Sequence, residues 1–205
     1  MNFGFLLFPD LEELDLVGPW EIINVWRKYS NGPSCLTVSE RKGEIVCAKG
    51  LKLIADYTFE DCPVLDYLLI PGGQGRKTEM HNQKLLDFVK QQSNNCRQIA
   101  SVCTGAFILH SAGLLRNKQA TTHWSALEEL RALNDVRVDE RRFVRTENVW
   151  TAAGVSAGID MALAIIAEEA GEETAGEVRL YAEYYPDNKR YGTAHTNEKA
   201  PAYVK

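Results

Sequence analysis

Cys103 has the sequence surroundings of a catalytic nucleophile. Residues 97–102 form a predicted short buried strand and residues 106–112 a predicted helix, so the cysteine falls between them. Ser101 and Gly105 flank it at two residues' distance, and small neighbours permit the strained strand-to-helix turn called a nucleophile elbow. The N–H groups and dipole of the following helix are expected to favour the thiolate. A buried core cysteine is the alternative, and the spacing favours the nucleophile.

Asp15 is the candidate acid–base partner of this cysteine. It lies between Leu14 and Leu16, shortly after a continuous apolar run at residues 3–8 that predicts a central parallel strand. A carboxyl group in an apolar frame has a raised pKa, which suits proton transfer near neutral pH. The alternative is a helix N-terminal cap or a partner of the helix dipole, because Gly18 and Pro19 predict the start of a helix just beyond it.

Two further candidates follow predicted strands. Gly72 and Gly73 come after a buried strand at residues 65–70, where bare backbone N–H groups could form an oxyanion hole. A tight turn that needs a positive φ explains the same two glycines. His123 lies at the end of a short predicted strand at residues 119–122.

The elements between these residues predict how they meet. Strands and helices alternate along the chain, which favours an α/β fold with a doubly wound parallel sheet. Adjacent parallel strands lie about 5 Å apart, so side chains at their carboxyl ends can share one crevice. A strongly apolar helix is predicted at residues 157–170. We expect one α/β domain over residues 1–185 and a polar, irregular tail over residues 186–205.

Composition narrows the range of partners. The chain has 205 residues, 45% of them hydrophobic, and a formal net charge of -5, which argues against a nucleic-acid partner. No apolar run is long enough to span a bilayer. The five cysteines form no C-x-x-C pair, and no secretion signal is recognisable, so a reduced, cytoplasmic protein is expected. The four histidines lack ligand spacing, so we expect no metal.

Seven short motifs resemble the ThiJ/PfpI superfamily, which has a class I glutamine amidotransferase-like fold. They are GFLLFP (4–9), LDLVGP (14–19), IPGG (70–73), SVCTG (101–105), AGLL (112–115), ATTHW (120–124) and AGID (157–160). The resemblance implies a flavodoxin-like sheet, an elbow cysteine at Cys103, a supporting carboxyl at Asp15, a small-molecule substrate and no organic cofactor. It also implies a homodimer, to which an aromatic-bearing tail could contribute.

Two positions narrow the expected chemistry within this family. Many members carry glutamate where this chain has Asp15, and the peptidase-like branch has histidine where Thr104 follows the cysteine. Aspartate and threonine at these positions resemble the members that hydrate isonitriles, in which the threonine belongs to the site. The resemblance places His123 in the pocket lining and gives it no main base role. Another cysteine-dependent reaction, such as glyoxal hydration or amide hydrolysis, and a redox sensor that oxidises Cys103 remain the alternatives.

Overall fold

A seven-stranded sheet forms the centre of the computed structural model, which describes residues 1–187 and 189–204. Residues 188 and 205 of the predicted tail lie outside the described residues. In chain order the strands are β1 (Asn2–Leu7), β2 (Ser34–Ser39), β3 (Glu44–Val46), β4 (Lys52–Ile54), β5 (Tyr57–Thr58), β6 (Tyr67–Ile70), β7 (Gln98–Val102), β8 (Gln119–Ala120), β9 (Arg137–Val138), β10 (Phe143–Thr146) and β11 (Val149–Ala152). The helices are α1 (Glu13–Ser30), α2 (Arg76–Glu79), α3 (Gln83–Ser93), α4 (Gly105–Ser111), α5 (Leu127–Arg131), α6 (Ala157–Ala170) and α7 (Glu172–Tyr181).

The sheet is parallel except at one edge. Its strand order is β10-β11-β7-β6-β1-β2-β5, and only β10 runs antiparallel to its neighbour. The central strands β6, β7 and β11 are buried along their whole length, as expected of parallel strands covered on both faces. Helices α1, α6 and α7 pack together, and α4 packs against α2 and α3. This architecture confirms the predicted α/β, flavodoxin-like fold.

Helix α1 begins earlier than predicted. It starts at Glu13, five residues before Gly18, and therefore contains both Pro19 and Asp15. Proline lacks the N–H that would bond to the Asp15 carbonyl, so one helical hydrogen bond is missing there. Leu16 and Asp15 are both buried, and the burial of this first turn offsets the missing bond. Asp15 is consequently a helix residue of the first turn and lies within the core.

The strand before His123 is also shorter than predicted and lies outside the main sheet. β8 has two residues and pairs with β9 in a separate two-stranded sheet. Thr121 and Thr122 continue from it as buried chain, and the Thr121 N–H donates to Thr151 Oγ1 at 2.9 Å. This bond holds the chain just before His123 at the end of the main sheet, although the strand that precedes His123 is not part of that sheet.

The sequence also predicts helices over residues 79–92 and 125–133. The first corresponds to α3, which begins at Gln83, because α2 ends at Glu79 and Asn82 accepts a hydrogen bond from the Leu85 N–H at the start of α3. The second starts as a 3₁₀ turn before α5. In the described part of the chain, no helix is long and apolar enough to cross a bilayer.

The start of α4 lies against the end of β6 so closely that Gly105 leaves no room for a side chain. A Cβ there would overlap the Ile70 carbonyl oxygen and would lie 2.8 Å from the Pro71 carbonyl oxygen. Gly176, in the middle of α7, is exposed and has open space around it. Substitution of these two glycines by alanine is therefore expected to change the free energy of unfolding in opposite directions.

We expect Gly105→Ala to lower the free energy of unfolding by about 1–3 kcal/mol, because backbone must move to admit the methyl group. Gly176→Ala should raise it by about 0.5–1 kcal/mol, because glycine is costly inside a helix. Urea denaturation followed by circular dichroism measures both changes. Equal effects of the two substitutions would contradict the close approach of α4 and β6.

Candidate active site

The Cys103 backbone adopts a left-handed conformation, with φ of 54°. Its N–H points at two carbonyl oxygens at the end of β11, those of Ala152 at 3.1 Å and of the next residue, Ala153, at 2.8 Å. Its own carbonyl accepts a hydrogen bond from Thr122 Oγ1 at 2.8 Å. A non-glycine residue in this region costs about 1–3 kcal/mol and persists only where its surroundings impose it. These hydrogen bonds impose the strained elbow that the sequence predicts.

The Cys103 side chain is a thiol in the resting protein. Burial raises its pKa to about 12, and the neighbouring Asp15 carboxyl adds to that rise. The N–H groups of Thr104 and Val155 and the Thr104 hydroxyl lower the pKa, with a smaller effect. The Thr104 N–H at the start of α4 does favour the thiolate, as expected, but desolvation outweighs the donors around the sulfur. A proton acceptor must accompany any attack by this sulfur.

Asp15 is the titratable group beside the thiol. Its side chain is fully buried, and Oδ2 accepts the Gly72 N–H at 2.8 Å. Oδ1 has no partner in hydrogen-bond geometry among the described residues. Burial raises the pKa of this carboxyl from 3.8 to about 8; the Gly72 N–H opposes the rise, Glu12 adds to it, and the Cys103 thiol opposes it slightly. Asp15 is thus mostly protonated at neutral pH, with Oδ1 free to carry the proton.

The glycines after β6 position Asp15 and Thr104. The Gly72 N–H binds the carboxyl, and the Gly73 N–H donates to Thr104 Oγ1 at 3.1 Å. A Cβ on Gly72 would lie 2.5 Å from the Thr104 nitrogen and 3.0 Å from Asp15 Oδ2, so only glycine fits there. Gly73 has a φ of 120°, which glycine adopts readily. Both predicted N–H groups therefore lie in the candidate site, and each already donates a hydrogen bond to a side chain there. An oxyanion role for them stays a prediction.

His123 lies beside this cluster and is held by other partners. Its Nδ1 is 2.8 Å from Ser125 Oγ and accepts the Ser125 N–H at 3.3 Å. The ring packs against Trp124, with 5.7 Å between ring centroids, and covers the Gly154 backbone so closely that a Cβ there would lie 2.6 Å from Cδ2. Burial lowers the pKa of His123, so the ring is neutral at pH 7. Among the hydrogen bonds of the described residues, its ring nitrogens have none to the Cys103 sulfur, which fits a lining residue.

Two residues near the thiol were missed by the sequence reasoning. Val155 supplies an N–H to the sulfur, and Glu12 acts on the carboxyl of Asp15 and on His123. Val155 follows β11, the strand that pairs with β7. Its place after a strand next to the one that carries Cys103 could therefore have indicated that it lies near the thiol. Glu12 has the appearance of a solvated charge in the sequence and pairs with Lys49 from the β3–β4 turn. Only the folded chain shows that it faces the site.

The described residues contain no cluster of side chains suited to binding a metal ion. No group of three or more histidine, cysteine, aspartate or glutamate side chains is arranged to hold a metal ion in the described part of the chain.

Comparison with known proteins places this arrangement in a family context. The sequence profile described as the DJ-1/PfpI family matches residues 2–168. Isonitrile hydratase from Pseudomonas putida is 38% identical over 195 residues, covering 91% of this chain and 79% of that protein. The crystal structure of a ThiJ/PfpI family protein from Pseudomonas syringae superposes with a TM-score of 0.87 at 32% identity, covering 99% of this chain and 82% of the other. Schizosaccharomyces pombe DJ-1 shares the fold, with a TM-score of 0.76 at 21% identity over 91% of this chain and all of the other.

The buried carboxyl predicts a pH-dependent stability that a single substitution removes. Above about pH 4 the unfolded chain ionises Asp15, whereas the folded chain keeps the proton until about pH 8. The folded state binds more protons in this range, so the contribution of Asp15 to the free energy of unfolding falls as pH rises, by at most about 1.4 kcal/mol per pH unit. Asp15→Asn should therefore be increasingly more stable than the wild type from pH 5 to pH 8.

Denaturant titrations at both pH values measure this difference. Glu21→Gln changes an exposed carboxyl on the same helix and serves as the control, which should follow the wild type. A stability difference between Asp15→Asn and the wild type that is the same at pH 5 and pH 8 would show that Asp15 is not held protonated.

Proposed function

The chain belongs to the DJ-1/PfpI family, and from that premise we propose that it is an enzyme that hydrates an isonitrile to an N-substituted formamide through a covalent adduct on Cys103. One observation carries the proposal: a buried, protonated Asp15 with a free Oδ1 beside the Cys103 thiol. The similarity to Pseudomonas putida isonitrile hydratase supports the choice of substrate. No cofactor or metal is required by this reaction.

The first step forms a thioimidate. The terminal carbon of an isonitrile carries a lone pair, and Asp15 protonates that carbon from Oδ1. Protonation makes the carbon electrophilic, and the Cys103 sulfur bonds to it while the thiol proton passes to the carboxylate. The product is R–N=CH–S–Cys103, and Asp15 ends the step protonated. A carboxyl group with a pKa of about 8 suits both halves of this exchange, because it gives and accepts a proton near neutral pH.

The second step releases the formamide. Water adds to the thioimidate carbon while a proton reaches the nitrogen, with Asp15 relaying it, and the carbon–sulfur bond then breaks. The products are R–NH–CHO and the Cys103 thiol. Thr104 Oγ1 accepts the Gly73 N–H and lies 3.4 Å from the Gly73 carbonyl oxygen, an arrangement suited to orienting the water. The Thr104 and Val155 N–H groups stabilise charge on the departing sulfur, and Gly73 can join them when the Thr104 hydroxyl turns away.

The redox-sensor alternative uses the same thiol and is distinguished by its products: a sensor is oxidised by peroxide at Cys103 and turns over no isonitrile. Glyoxal hydration and amide hydrolysis use the same residues and are distinguished by the substrate that turns over.

We expect Cys103→Ala to abolish formamide production, because no adduct can form, and Cys103→Ser to be nearly inactive. Asp15→Asn should bind substrate yet lose about 10²–10⁴-fold in kcat, the usual range for general acid–base catalysis. His123→Ala should cost far less, since the ring is held by Ser125 and Trp124. Chromatographic quantification of formamide from a panel of small isonitriles measures each rate.

Two results would contradict the assignment in different ways. A loss in His123→Ala as severe as in Cys103→Ala, with Asp15→Asn still active, would replace the carboxyl with a Cys–His pair. A wild-type protein that leaves all isonitriles unchanged but hydrates methylglyoxal or an amide would overturn the substrate while leaving the nucleophile in place.

We also propose that the chain forms a homodimer through the start of α1 and the β3–β4 hairpin. Leu14 and Val17 on α1 and Ile54 on the hairpin expose apolar surface, Ile54 to 74%. The Lys49 N–H donates to Glu13 Oε1 at 2.5 Å, which fixes the turn of the β3–β4 hairpin beside the start of α1. The cytoplasmic location stays a prediction, and so does the boundary between the domain, residues 1–185, and the tail, residues 186–205.

Light scattering should report a dimer for the wild type at micromolar concentration and a monomer for Val17→Glu combined with Ile54→Glu, because buried charge would oppose association. Val64→Glu changes a residue that is also exposed, at 64%, and lies at the opposite end of the sheet, where its carbonyl binds Asn2. This control should remain dimeric. A monomeric wild type would refute the assembly.

A further inference from the structure

The turn between β11 and α6, residues 153–156, contacts Cys103 at two points. The Ala153 carbonyl oxygen accepts the Cys103 N–H at 2.8 Å. Two residues later, the Val155 N–H reaches the Cys103 sulfur. The position of this β11–α6 turn therefore affects both the backbone of the nucleophile and a hydrogen-bond donor to its reacting atom.

Arg142, the residue before β10, holds both ends of the β11–α6 turn. Its backbone carbonyl accepts the Ala153 N–H at 2.9 Å. Its guanidinium donates from Nη2 to Ser156 Oγ at 3.0 Å, and from Nε to Asp160 Oδ2 in the first turn of α6 at 2.5 Å. Because the backbone of Arg142 binds the start of the turn and its side chain binds the end, this one residue spans the segment that carries both contacts to Cys103.

The hydroxyl of Ser156 has an unusual partner for its position. Ser156 lies at the N-cap of α6, where a serine hydroxyl ordinarily accepts an N–H from the first turn of the helix. Among the described residues, it accepts no such N–H and instead accepts a hydrogen bond from Arg142. The side chains of Arg142 and Asp160 are 38% and 28% exposed, so solvent screening limits what their ion pair adds to the stability of the fold. We therefore expect these contacts to matter chiefly for where the turn lies.

A second ion pair joins β10 to α6 further from the site. Arg145 in β10 pairs with Glu168 near the end of α6, with 2.9 Å between Nη1 and Oε1 and side chains that are 39% and 44% exposed. Glu168 lies eight residues beyond Asp160, which is about 12 Å along the helix. The two arginines therefore allow the general effect of losing an ion pair to α6 to be separated from a specific effect on Cys103.

We propose that Arg142 is a positioning residue whose two guanidinium contacts hold the Val155 N–H on the Cys103 sulfur. The inference rests on the proposed function and deepens it, because this N–H stabilises the charge on the sulfur when the carbon–sulfur bond of the thioimidate breaks. Arg142 acts through the β11–α6 turn and takes no part in proton transfer.

The first test compares kcat and KM for n-butyl isonitrile in the wild type and in substituted proteins. Arg142→Met should lower kcat about 10- to 100-fold and change KM less than about twofold, because the displaced donor acts on the transition state. Arg142→Lys should lose nearly as much, since an ammonium group cannot reproduce the fork that contacts Ser156 and Asp160 together. Arg145→Met is the matched control and should keep the wild-type kcat. An equal loss in Arg142→Met and Arg145→Met would overturn the proposal.

A double-mutant cycle tests the contact with Ser156 directly. Ser156→Ala should lower kcat in the same direction, and Arg142→Met should cost less in the Ser156→Ala background than in the wild type, because both substitutions disturb one contact. Additive losses would overturn the proposal. Circular dichroism checks that each variant is folded. If Arg142→Met does not fold, Ser156→Ala decides, and a wild-type kcat in that variant would overturn the positioning role.

Alkylation of Cys103 by iodoacetamide at a fixed pH separates this inference from the proposed reaction. Cys103 in Arg142→Met should react about threefold more slowly than in the wild type, because loss of the donor reduces the thiolate population more than it raises the nucleophilicity of the thiolate. Peptide mass spectrometry measures this rate at Cys103, and Arg145→Met should match the wild type. Slower alkylation in Arg142→Met without any isonitrile turnover would overturn the proposed function alone. An unchanged alkylation rate in Arg142→Met would overturn the positioning role, whether or not isonitriles are hydrated.

Discussion

The carboxyl of Asp15 is buried with one hydrogen bond, from the Gly72 N–H, and the rest of the site depends on this arrangement. A carboxylate in that position would lack the donors it has in water, so the group keeps its proton to about pH 8. Burial likewise keeps the neighbouring thiol protonated, and ionisation of Asp15 would add to this effect, because two negative charges in the same apolar space are disfavoured. The two groups are thus a pair of neutral acids side by side in the resting protein.

Backbone geometry explains why this pair can form at all. The end of β6, the start of α1 and the elbow after β7 approach one another so closely that Gly72 lies between the Asp15 carboxyl and the Thr104 nitrogen without room for a side chain. The parallel register places β1, β6 and β7 side by side, with Phe5 opposite Leu69 and Ile70 opposite Ser101. Apolar strands buried on both faces therefore fix the positions of polar groups that have few hydrogen bonds of their own.

Much of this arrangement could be predicted from local patterns. The apolar helix α6 has the bounds expected from its sequence, and the small residues around Cys103 correctly indicated a strained elbow. The start of α1 could not be found in this way, because Pro19 is a strong local signal that the burial of Leu16 and Asp15 overrides. The protonation of Cys103 was also beyond local reasoning: the helix after it is visible in the sequence, whereas the burial that outweighs that helix depends on the whole fold.

The two carbonyl oxygens that hold the Cys103 N–H belong to Ala152 and Ala153, about fifty residues further along the chain. If β7 pairs with β6 before β11 is added, the Cys103 N–H has neither of these two acceptors during that interval. Contacts between distant parts of a chain form late, because closing a long loop costs entropy before the contact stabilises it. The backbone geometry of Cys103 therefore depends on a contact of long sequence separation, and a chain that lacks β11 lacks the two acceptors that hold the Cys103 N–H.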